Sequence, residues 1–72
     1  MGMLILEATG DRGEELAMQA AKVTEVAVGW DSEFNSATFD SENLGDAELE
    51  GVIFDALGGI DPGWRSHLQV VE

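Results

Sequence analysis

The hydrophobic positions of this chain fall into six blocks with two different periods. Met3-Leu4-Ile5-Leu6-Glu7-Ala8 is an almost unbroken apolar run ended by Thr9-Gly10, which predicts a strand in the interior of a sheet. Asp11 follows as an N-cap with Glu14 as its capping-box partner. Leu16, Ala17, Ala20, Ala21 and Val23 then share one helical face, and its alanines allow the helix to lie close against a sheet. Val26, Val28 and Trp30 alternate with polar or small residues, as do the positions from Ala37 to Asp40. With the turn-forming stretch Asp31 to Ser36 between them, they predict a hairpin whose loop has about four to six residues.

The second helix has the clearest signature. Leu44 precedes a Gly45 N-cap and can staple onto Leu49, while Asp46 and Glu48 suit the positive end of the helix dipole. Leu49, Val52, Ile53, Ala56 and Leu57 form the core stripe, Gly58-Gly59 is expected to stop the helix, and Asp61-Pro62-Gly63 to turn the chain. His67 to Val71 alternates as a last strand. The order strand, helix, strand, strand, helix, strand predicts an α+β fold: a ferredoxin-like two-layer plait with a four-stranded antiparallel sheet and two helices on one face. Without linker, repeat or low-complexity tract, residues 1–72 are expected to form a single small acidic domain.

Composition sharpens this picture. The 72 residues hold 15 acids against 3 Lys or Arg, a net charge of −12, and no cysteine. A domain of this size buries only about 60% of the surface its unfolded chain exposes, which leaves no volume for a two-domain enzyme or a deep cofactor cleft. Disulfides, zinc fingers and thiol nucleophiles are excluded. No apolar run approaches a membrane span or a signal-peptide core, and Met1-Gly2 lacks the Ser or Thr at position six that myristoylation wants, having Leu6 there. The charge repels anionic lipid and nucleic acid, so no membrane and no direct nucleic acid contact is expected. A cytoplasmic protein is the expectation.

Each candidate for chemistry has a plainer reading. Gly10-Asp11-Arg12-Gly13 stands where phosphate loops occur, but Asp11, Glu14 and Glu15 would repel a phosphate, leaving a capped turn. Asp46-x-Glu48-x-Glu50-Gly51 opens like a calcium loop and fails at its twelfth position, Leu57. His67 has neither cysteine nor second histidine, and Ser66 beside it would face away in a strand. No catalytic group, metal site or cofactor is therefore expected. Trp64 is expected to close the core at the end of the second helix, with Arg65 paired to nearby acids or, with Trp64, anchoring a partner. Phe54 falls roughly 140° from Leu49 at 100° per residue, off the stripe, where it can anchor a partner within an acidic surface.

The acid distribution carries the functional expectation. From Val23 to Trp64 there are ten acids and no Lys or Arg. Asp31/Glu33 and Asp40/Glu42 are spaced i, i+2, which in extended chain holds carboxylates roughly 6.6 Å apart on one side. That resembles successive phosphates of a nucleic-acid strand, about 3.4 Å per nucleotide. Glu48 and Asp55 continue the row along one side of the second helix. In size and charge the chain resembles small phage-encoded anti-defence proteins, anti-CRISPRs among them. That resemblance, of size and charge alone, implies a non-enzymatic inhibitor that mimics DNA and binds a basic nucleic-acid-binding protein or complex. The acid distribution and the off-stripe Phe54 put the expected contact on Asp31, Glu33, Asp40, Glu42, Glu48, Glu50, Phe54 and Asp55. The alternative is a salt-adapted structural or oligomerising module, its acids solvated and its open sheet face pairing in a homodimer.

Overall fold

A computed structural model describes residues 1–71. Strand β1 (Gly2–Ala8) leads to helix α1 (Gly13–Thr24), the hairpin β2 (Ala27–Asp31) and β3 (Ser36–Ser41), helix α2 (Asp46–Ile60), one 3₁₀ turn (Trp64–Ser66) and β4 (Leu68–Val70). The sheet order is β2-β3-β1-β4 with every pairing antiparallel, so the expected α+β ferredoxin-like plait is the fold. β1 lies inside the sheet, as its apolar character requires.

Period 2 assigns the two faces. Leu4, Leu6 and Ala8 of β1 point to the helices together with Ala37 and Phe39 of β3 and Leu68 of β4. Phe39 is paired with Leu4 on one side and Val28 on the other, at the centre of the core. Truncating so enclosed an aromatic costs about 3–5 kcal/mol. From the helical layer come Leu16, Ala17, Ala20 and Ala21 of α1 and Leu49, Ile53 and Leu57 of α2, with Trp64 sealing the end. The other sheet face has no helix on it.

Local differences from the sequence reading have local causes. α1 begins at Gly13 with Arg12 as N-cap, and neither Asp11 nor Glu14 caps it. Residues Asp11 and Arg12 form a turn already near helical geometry (Arg12 φ −95°, ψ −2°), so the backbone needs no side-chain cap to enter the helix. Val23 lies outside the core at 67% exposed, because at 100° per residue it falls roughly 90° from the centre of the face that Gly13, Leu16, Ala17, Ala20 and Ala21 bury. Helix α2 continues through Gly58-Gly59 to Ile60, which packs on the core. Its end is set instead by Pro62, which forces Asp61 into extended backbone (φ −150°, ψ 108°). Val52 sits at the margin of the stripe rather than in it. The last strand is shortened to Leu68–Val70 because the 3₁₀ turn occupies the residues before His67.

Two hydrogen-bonded turns set the hairpin and the start of α2. Asp31 Oδ1 accepts from the backbone N–H of Glu33 (2.9 Å) and Phe34 (3.3 Å), closing a four-residue loop. Ser41 Oγ accepts from the N–H of Asn43 and Leu44, and Asp46 Oδ1 accepts from the Met3 N–H at 2.9 Å, joining β1 to the first turn of α2. Leu44 packs on the core as the staple predicts.

Candidate interaction surface

The hairpin acids are carried to opposite ends of the sheet. Asp31 pairs with Ser36, and Asp40 lies four residues further along β3, roughly 14 Å away at about 3.4 Å per residue. Asp31 and Asp40 are strand residues, while Glu33 falls in the loop and Glu42 in the bend after β3. Neither i, i+2 pair is therefore held in extended chain along its length, and the phosphate-like spacing is not built.

Layering divides the set again. Asp31 and Asp40 alternate with the inward residues Trp30 and Phe39 and so belong to the outer sheet face. Glu48, Glu50 and Asp55 belong to α2, on the opposite layer. The seven acids of the expected set thus form three groups: Asp31 and Glu33 at the hairpin tip, Asp40 and Glu42 at the far end, and Glu48, Glu50 and Asp55 on α2.

Several acids have structural work. Asp31 shapes the loop, Glu48 Oε1 reaches the Gly45 N–H at 3.5 Å, and Asp61 Oδ1 accepts from Gly63 N–H at 2.8 Å. Asp61 Oδ2 also meets Arg12 Nη1 at 3.2 Å, and Arg12 Nε lies 3.9 Å from Glu15. Asp11, Glu14, Glu25, Glu33, Asp40, Glu42, Glu50 and Asp55 are exposed, accept no hydrogen bond and join no ion pair among the described residues.

Phe54 is occupied within the molecule. Its ring centroid lies 5.0 Å from that of Trp64, and the Arg65 guanidinium carbon sits 5.1 Å from the Phe54 centroid and 4.5 Å from the Trp64 ring. Arg65 therefore covers an aromatic pair, where sequence reading pairs it with acids. Trp64 is 4% exposed, so it closes the core and offers no anchor.

Two acids outside the predicted set belong to it by position. Glu25 ends α1 and lines, with Asp40 and Glu42, a depression of about 700 Å³ whose apolar wall includes Val26 and Leu44. Glu7 lies on the outer sheet face and accepts from Gln69 Nε2 at 3.2 Å. The alternation Met3, Ile5, Glu7 would have placed it there; proximity in sequence to the start of α1 concealed it. His67 is half-buried before β4, its carbonyl accepting from the Thr9 N–H. Among the described residues no group of three or more His, Asp or Glu is placed to share a metal ion, and no helix is long and apolar enough to cross a membrane. No protein-family model, curated protein or solved structure matches this chain.

Proposed function

We propose that this protein is a non-enzymatic acidic inhibitor that occupies the nucleic-acid-binding surface of a basic protein or complex. One observation carries the reading: among the described residues eight exposed carboxylates have no intramolecular partner, while two of the three Lys or Arg are engaged inside the molecule, Arg12 with Asp61 and Arg65 over Trp64. Carboxylates left unpaired keep their attraction for an external cation, and a charge of −12 steers a basic partner within about a Debye length of the surface, about 8 Å at physiological salt and longer at low salt. The phosphate-like spacing does not contribute, so the mimicry is one of charge and not of strand geometry. Small size and high negative charge fit an anti-defence inhibitor of the anti-CRISPR kind.

The test is capture of host proteins on the immobilised chain at low salt, followed by elution with duplex DNA. A nucleic-acid-binding complex released by DNA and absent at about 1 M salt supports the reading. Captured protein that DNA fails to release would overturn it.

A further inference from the structure

The outer sheet face is arranged in three rows that cross the strands. The middle row is Gly29, Thr38 and Ile5, extended by Val71, whose N–H donates to the Ile5 carbonyl. Toward the hairpin tip lies the row Asp31, Ser36, Glu7 and Gln69; toward the other end lie Ala27, Asp40 and Met3. The middle row is uncharged, and each flanking row carries carboxylate. Ile5, Phe34 and Val71 wall a depression of about 320 Å³ with Thr38, Glu7 and Asp31. Phe34 is 65% exposed, Met3 51% and Val71 44%, so this face carries three of the seven exposed large apolar side chains among the described residues. No Lys, Arg or His belongs to this face: Arg12 and Lys22 are at the ends of α1, Arg65 is in the 3₁₀ turn and His67 precedes β4.

We propose that this face docks a basic amphipathic helix of the partner protein. Its apolar stripe lies along Gly29–Thr38–Ile5–Val71, and its flanking Lys or Arg meet Glu7 and Asp31 on one side and Asp40 on the other. The dimensions agree. The carboxylate rows stand roughly 14 Å apart, four residues at about 3.4 Å, and a helix with its side chains is about 10–12 Å across. Four strands at about 4.8 Å span roughly 14 Å, the length of about ten helical residues. Gly29 and Thr38 of the middle row are small, and Ser36 and Thr38 line the depression beside Phe34. Charge selects this occupant over a second copy, which would set three more carboxylates against these three with no Lys, Arg or His on either face. The inference rests on the acidic-inhibitor reading for the sign of the partner's charge, and adds the face used and the shape of what it takes.

The experiment is a titration of ¹⁵N-labelled protein in about 0.15 M NaCl with two synthetic peptides of roughly eighteen residues and equal positive charge. One is a Leu/Lys helix with an apolar stripe, the other a Ser/Lys sequence without it. The Leu/Lys peptide is expected to bind saturably and at least about tenfold more tightly, with shifts concentrated at Ile5, Thr38 and Val71. The double variant Phe34→Ser, Val71→Ser, both exposed positions, should lose about that tenfold while its thermal melt stays close to that of the parent. Equal binding of both peptides, with shifts spread over α2, overturns the docking face and leaves the acidic-inhibitor reading standing. Binding of neither peptide in this buffer removes both. Concentration-dependent broadening at Ile5 and Val71 in the free protein, abolished by Phe34→Ser, would assign the face to a second copy and overturn the proposal.

Discussion

Gly13 opens helix α1 directly against Ala8, the last residue of β1: a Cβ on Gly13 would fall 2.3 Å from the Ala8 Cβ and 3.0 Å from the His67 carbonyl oxygen. This contact fixes how closely the helical layer approaches the sheet where β1, α1 and β4 meet. Backbone and a short side chain surround the site, so no flexible group can withdraw.

Gly13→Ala is therefore expected to destabilise the fold by about 1–3 kcal/mol, the range for overpacking a filled site. Gly51 is the contrasting case, since nothing lies within 4 Å of a Cβ placed there on the exposed side of α2. Gly51→Ala should stabilise by about 0.5–1 kcal/mol through helix propensity alone. Urea midpoints at unchanged m-value give both numbers, and the opposite signs are what matter. Equal shifts would show that the β1–α1 contact is looser than described.

Glu25 closes α1 in the left-handed region, φ 58°, ψ 30°, with its N–H donating to the Ala21 carbonyl. The left-handed well costs a residue with a Cβ about 1–2 kcal/mol, though glycine gives part of that back in unfolded-chain entropy. Glu25→Gly is expected to gain about 0.5–1 kcal/mol, which for a domain of this size raises Tm by several degrees. Glu25→Asn removes the same charge but tolerates the conformation less well than glycine, so its gain should be smaller. If both variants melt alike, relief of charge repulsion and not of backbone strain is the cause.

Phe54 was legible as lying off the α2 stripe, but not as engaged. Its neighbours Trp64 and Arg65 come from a 3₁₀ turn absent from the sequence reading, because that turn depends on the tertiary closure after Pro62. Phe54→Ala should accordingly cost about 1–3 kcal/mol of stability, from lost burial and an aromatic contact, instead of specifically hastening release of a partner. A chemical denaturation curve reads the loss. An unchanged midpoint together with faster partner dissociation would restore Phe54 as an anchor.

The plait itself was legible because two periods were cleanly separated. Val28 and Trp30 alternate, whereas Leu49, Ile53 and Leu57 recur at helical spacing, and each set is partly or fully buried where its period requires. What escaped was whatever depends on pairing register or on long-range contact. Asp31 and Asp40 are nine positions apart in sequence, yet register sends them to opposite ends of one face; Glu7 joins Asp31 on that face across β3. Gly58-Gly59 reads as a stop, but the helix runs on to Ile60, which is partly buried against the core and offsets some of the propensity cost of about 1 kcal/mol for each glycine.

The spatial separation of the acids yields a comparison at constant charge. Asp40→Lys with Glu42→Lys, and Glu50→Lys with Asp55→Lys, each make two reversals of +2, taking the chain from −12 to −8. Long-range steering falls equally in both, so any difference between them reports which surface meets the target. Asp40 belongs to the outer sheet face and Glu42 to the groove at its edge, whereas Glu50 and Asp55 lie on the helical layer. Among the described residues all four lack intramolecular partners, so neither pair should alter the fold by more than about 0.5 kcal/mol. With the complex captured on the immobilised chain, the first pair is expected to slow association about tenfold more than the second and to flatten its salt dependence, with dissociation little changed. Association rates at two salt concentrations, with circular dichroism as the folding control, decide it. Equal slowing by the two pairs would mean that net charge alone guides binding and that the sheet face has no special part in it.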